Sequence, residues 1–171
     1  MPAPIAEERH AAVDLLRVHA VPLVSTMAGS AAALLPLVAN WPALPPFGLL
    51  MLLAWRLLRP ELWLAWVALP LGLFDDLMTG LPIGTSMFLW TASLLLLDMI
   101  DSRFLWRDYW IDWIIATVIL LACRVGTILL SGVSEFGPAL AASVLQMLLA
   151  ILCFPILMRL CLRLDRWRLG R

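Results

Sequence analysis

Apolar residues along this chain come in long runs, and the breaks between them are short and rich in proline, glycine or charge. Six such runs cover residues 20–39, 44–58, 62–78, 83–97, 110–130 and 139–158. A run of about 20 apolar residues is the length of helix that crosses a bilayer, and helices that are apolar all round belong in lipid or in a core. The punctuation agrees with helical hairpins. Asn40-Trp41-Pro42 with Pro45 and Pro46 cannot continue a helix. Thr79-Gly80-Leu81-Pro82-Ile83-Gly84 reads as a tight turn, and Ser131-Gly132 through Gly137-Pro138 as another. The pattern predicts an all-α integral membrane protein of six transmembrane helices joined by short loops. A lead-in, residues 1–18, precedes the six-helix domain of residues 19–158, and a basic tail of residues 159–171 follows it. A signal peptide is the rival reading of the first run. Glu7 and Glu8, together with an apolar stretch longer than an h-region, argue against it.

Composition sharpens this picture. Of 171 residues 63% are hydrophobic and 14% charged, and mean hydropathy is +0.96, far more apolar than a soluble domain. Six spans leave no room for a soluble catalytic domain. The formal charge is zero, but its distribution is one-sided. Arg9, Arg17, Arg56, Arg59, Arg103, Arg107, Arg159, Arg163, Arg166, Arg168 and Arg171 all fall beside one set of span ends. The opposite turns carry no arginine or lysine, so the positive-inside rule places both termini in the cytoplasm. Trp41, Trp63, Trp106, Trp110 and Trp167 lie near span ends, with Trp55 and Trp66 close by, where an aromatic belt is expected. The arginine-rich tail is suited to lie amphipathically against anionic lipid, and nucleic acid is a poor partner for such a chain.

Charge inside a span is costly and marks either a function or a structural pair. Asp75 and Asp76 near the end of the third run and Arg124 within the fifth sit at similar depth from the arginine-free face. At about 1.5 Å per residue their levels differ by a few ångströms, which makes an ion pair between Arg124 and Asp75 or Asp76 geometrically possible. Adjacent residues on a helix point about 100° apart, so the two carboxylates do not form a protease-like dyad. A solvated helix end, a proton relay and a polar contact within the bundle remain as readings. Gly72, Asp76, Gly80 and Gly84 recur every fourth residue, a spacing that favours close packing along a helix seam. Asp98, Asp101, Asp108 and Asp112, interleaved with Arg103 and Arg107, read as a solvated, partly paired loop or as a docking surface. Arg56 and Arg59 are placed to snorkel. Cys123, Cys153 and Cys161 lie in apolar runs without zinc spacing, and His10 and His19 have no ligand-type neighbours. No nucleophile elbow, phosphate loop or dinucleotide fingerprint occurs, so the expectation is no enzyme and no cofactor.

Residues 45–61, and then Gly72, Asp76-Leu77, Gly80 and Gly84, resemble the bacterial rod shape-determining protein MreD family. The resemblance runs from about Pro42 to the tail; Phe47 stands where the family often has Asp or Asn, and Asp75 is outside the pattern. It implies a multi-pass protein of the bacterial inner membrane that supports lateral peptidoglycan synthesis and regulation of cell shape. The implied partners are an MreC-like periplasmic coiled-coil protein, an MreB-like actin homologue, and a RodA-type glycosyltransferase with its penicillin-binding transpeptidase. Gly72, Asp76, Leu77, Gly80 and Gly84 would form a partner or packing seam. A chain with so little soluble mass acts through helix faces and short loops, as a scaffold does. The competing expectation is the small-molecule-binding membrane subunit of a vitamin-type transporter, whose ligand cavity Asp75, Asp76, Arg124 and Glu135 would line.

Overall fold

The computed structural model describes residues 19–34, 45–101, 109–132 and 136–168. The lead-in, the turn from Asn40, Arg103, Arg107, Asp108 and Glu135 lie outside them. Among the described residues the chain forms six helices and no strand. Helix α1 spans residues 19–31 and tightens into a 3₁₀ turn at Ala32–Leu34. It is followed by α2 (Phe47–Leu58), α3 (Ala68–Thr79), α4 (Thr85–Asp101), α5 (Tyr109–Leu130) and α6 (Phe136–Arg168).

Two of these helices, Tyr109–Leu130 and the part of α6 from Ser143 to Arg168, are long and apolar enough to cross a membrane. The second and third runs hold shorter helices. Helices α2 and α3 have 12 residues each, about 18 Å at 1.5 Å per residue, against a hydrocarbon core of about 30 Å. The third run does not start as an α-helix at residue 62. It passes through two 3₁₀ turns, Pro60–Leu62 and Ala65–Val67, before α3 begins. Pro70 then sits in the first turn of α3, where its missing N–H removes no helical bond.

Helix α2 is the hub. Its sequence, FGLLMLLAWRLL, has no polar face, and every residue from Gly48 to Leu57 is buried. It packs against α5 and α6, and α3 packs along α4. Successive helices run in opposite directions. Near the C-terminal end of α2, Arg56 meets the C-terminal end of α4, and Arg59 meets the C-terminal part of α6. Helices α5 and α6 instead turn much of their apolar surface outward, with Ile114, Val118, Leu121, Leu148, Leu152 and Ile156 exposed, as lipid-facing helices do.

Several sequence expectations change at the arginine-rich end. Arg56 does not snorkel: its side chain is 3% exposed and Nη2 reaches Asp98 Oδ1 at 2.5 Å and Asp101 Oδ2 at 2.8 Å. Two of the aspartates read as a solvated, partly paired loop are paired, as the counter-ions of a buried guanidinium. The tail does not lie apart on lipid through its first ten residues. Helix α6 continues to Arg168, and Asp165 is buried; it accepts from Arg59 Nη2 at 2.9 Å and forms an ion pair with Arg168, whose Nη2 lies 2.7 Å from Oδ1. The Arg168 guanidinium also stands 5.6 Å from the Trp55 ring centroid. Trp55 and Trp63 are core residues, not members of an interfacial belt, whereas Trp66, Trp110 and Trp167 are exposed.

Candidate functional site

The four-residue spacing that begins at Gly72 builds one helical hairpin, α3–turn–α4, and each of its polar or glycine positions has a separate task. A Cβ on Gly72 would lie 2.5 Å from Met87 Cα and 2.6 Å from Met87 N, so the two helices cross here backbone to backbone. Asp76 is 1% exposed, and its carboxylate closes the next helix. The N–H of Gly84 donates to Oδ2 at 2.8 Å, and the N–H of Ser86 donates to Oδ1 at 2.7 Å. Those donors belong to the first turn of α4, which has no intrahelical acceptors for them, and a carboxylate there also complements the helix dipole. Gly80 ends α3 with φ 71° while its N–H donates to the Asp76 carbonyl, and Gly84 carries φ 100°. Both are left-handed conformations that cost a side-chain-bearing residue about 1–2 kcal/mol. Leu77 points away from the hairpin and is 60% exposed.

Asp75, one residue earlier, faces a different way. Its Oδ2 accepts from Ser86 Oγ at 2.9 Å, so Ser86 holds both carboxylates, one through its backbone and one through its hydroxyl. On the far side of Asp75 the start of α2 approaches. A Cβ on Gly48 would be 3.1 Å from Asp75 Oδ1 and 3.1 Å from Trp90 Cη2, and it would overlap Ser30 Oγ. The glycine therefore lets α1, α2, α3 and α4 converge on one point.

Beside this convergence is a cavity of about 350 Å³, lined among others by Asp75, Ser86, Trp90, Arg124, Thr127 and Gln146. The Arg124 guanidinium enters from α5 and donates through Nε and Nη2 to Ser143 Oγ on α6, at 2.8 and 2.6 Å. This corrects the expected ion pair. Arg124 binds neither Asp75 nor Asp76; it ties α5 to α6 through a serine, while Asp76 is consumed by backbone donors. Asp75 and Arg124 share the cavity wall without being in ion-pair contact. Of the residues expected to line a ligand cavity, Asp75 and Arg124 do so and Asp76 does not.

Ser86, Gly48, Trp90 and Ser143 were missed from sequence. Trp90 offered the one usable signal: it falls in mid-run, away from the span ends where a membrane tryptophan is usual. Cys123 is buried beside this region with Sγ 3.2 Å from Ser93 Oγ, an inert packing position. Comparison with protein-family models, with curated proteins and with solved structures finds no match.

Proposed function

We propose that the chain is a membrane scaffold component of the bacterial cell-elongation machinery, supporting lateral peptidoglycan synthesis and cell shape through helix-face contacts in the inner membrane. The observation that carries this reading is the Gly72, Asp76-Leu77, Gly80, Gly84 pattern by which the sequence resembles the MreD family. In the fold those residues form a single hairpin that leaves Leu77 exposed. A hairpin whose tip is set by buried hydrogen bonds offers a partner helix a fixed surface without induced order, which lowers the entropic cost of association. On this reading the partners are the MreC-like coiled-coil protein, the MreB-like actin homologue and the RodA-type synthase pair, met through lateral faces and short loops.

The test is depletion in the source bacterium with the cell length-to-width ratio as readout, together with capture of the MreC-like protein by the tagged chain. Rounding on depletion, rescue by wild type and weakened capture by Leu77→Ala at equal protein level are the expected results. The cavity beside Asp75 and Arg124 favours the vitamin-type transporter subunit as a second reading. Unchanged shape with loss of uptake of a small solute on depletion would replace the scaffold with it.

A further inference from the structure

We infer that the cavity lined by residues of all six helices is a binding site for a small zwitterion, an amine at one end and a carboxylate at the other. The inference concerns the cavity alone and stands apart from the scaffold reading, which rests on the Gly72, Asp76-Leu77, Gly80, Gly84 pattern.

Two opposite charges line one space and are held by hydroxyls rather than by each other: Asp75 by Ser86 Oγ, Arg124 by Ser143 Oγ. Charges in a low-dielectric interior are expensive unless neutralised. A simple anion would neutralise Arg124 and leave Asp75, a simple cation the reverse, and a neutral ligand would desolvate both. A molecule with both charges compensates the two walls together.

The geometry also says which end goes where. Asp75 and Trp90 both line the cavity, and the Asp75 carboxylate is the group there that receives an ammonium, through a charge-assisted hydrogen bond. On the other wall, a guanidinium has five N–H donors, of which those on Nε and Nη2 are directed at Ser143. The remaining donors suit a carboxylate. Leu89, Leu120 and Met147 also line the cavity and supply apolar surface for a short hydrocarbon middle. A volume of about 350 Å³ is at the low end of the roughly 300–1,000 Å³ of small-molecule sites. That size fits an amino-acid-like solute and excludes a folded peptide segment.

The experiment is titration calorimetry on the full-length protein in detergent micelles, with a ladder of probes: glycine, 4-aminobutyrate, 6-aminohexanoate and 8-aminooctanoate. Hexanoate and hexylamine serve as single-charge controls. At least one rung binds saturably with Kd below about 1 mM, and the matched single-charge compounds bind about tenfold or more weakly, as loss of one charge-assisted contact requires. Asp75→Asn weakens the zwitterion about tenfold and does not weaken hexanoate; Arg124→Gln weakens the zwitterion likewise and does not weaken hexylamine. Each variant is checked first for an unshifted gel-filtration peak, and if either fails that check the wild-type ladder decides alone. Absence of saturable binding for every rung up to about 10 mM, or controls that bind as tightly as the zwitterion, overturns the inference. Neither result touches the cell-shape reading.

Discussion

At the scale of single residues, neighbouring positions with the same chemistry carry different loads. Asp76 accepts two backbone N–H groups at 2.8 and 2.7 Å in a buried setting, so Asp76→Ala leaves two donors of α4 without an acceptor. The expected loss is about 2 kcal/mol, and Asp76→Asn, which keeps one acceptor oxygen, loses less. Gly72→Ala costs about 3 kcal/mol, the upper end for overpacking, because the obstructing atoms are Met87 and Ser86 backbone, which has no rotamer to change. Gly80→Ala meets nothing within 4 Å and costs only its left-handed backbone, about 1 kcal/mol. Thermal melting of the purified variants in one detergent checks the order Gly72→Ala, Asp76→Ala, Gly80→Ala from worst to mildest. The reverse order for the two glycines would mean that the close crossing of α3 and α4 is not what Gly72 serves.

At the scale of elements, the hairpin and the hub are held by different forces. The α3–α4 pair is local, closed by hydrogen bonds across a turn of a few residues. Helix α2 is held from a distance, by burial on all sides and by ion pairs at its C-terminal end to α4 and α6. Arg56→Leu removes the cation from Asp98 and Asp101, of which Asp98 is 46% exposed. Partial solvation of the carboxylates keeps the cost at about 3 kcal/mol, the low end for breaking a buried pair. A double-mutant cycle of Arg56→Leu with Asp98→Asn and Asp101→Asn is expected to be strongly non-additive, since the residues share one interaction. Additive losses in melting temperature would remove Arg56 from its role as the α2–α4 clasp.

At the scale of the whole molecule, alternating helix directions put the cavity and the arginine clasp at opposite ends of the bundle. With Cys123, Cys153 and Cys161 replaced by serine, single cysteines at Ile83 and Arg163 report on those ends. An impermeant maleimide added to intact cells is expected to label Ile83→Cys and to reach Arg163→Cys only after lysis. Labelling of both from outside would overturn the expectation of six spans with cytoplasmic termini.

The six helices among the described residues were legible in the sequence because apolar runs of this length, broken at Pro45-Pro46, Pro60, Gly80–Gly84 and Gly132, leave the backbone few alternatives; hydrogen bonding along the chain is a local property. The hairpin turn was legible for the same reason, since Gly80 and Gly84 announce conformations other residues avoid. Which side chains meet was not legible, because burial and pairing depend on helices distant in the chain. Arg56 at a span end has the sequence signature of a snorkelling arginine, and only the packing of α4 makes it a buried cation. Asp75 and Asp76 are chemically identical, and only a 100° step around α3 sends one to the backbone of α4 and the other to a cavity. Arg124 resembled a partner for either until α6 brought Ser143 within its reach. Local geometry is written in neighbouring residues; the sharing of charge between helices is decided where they come together.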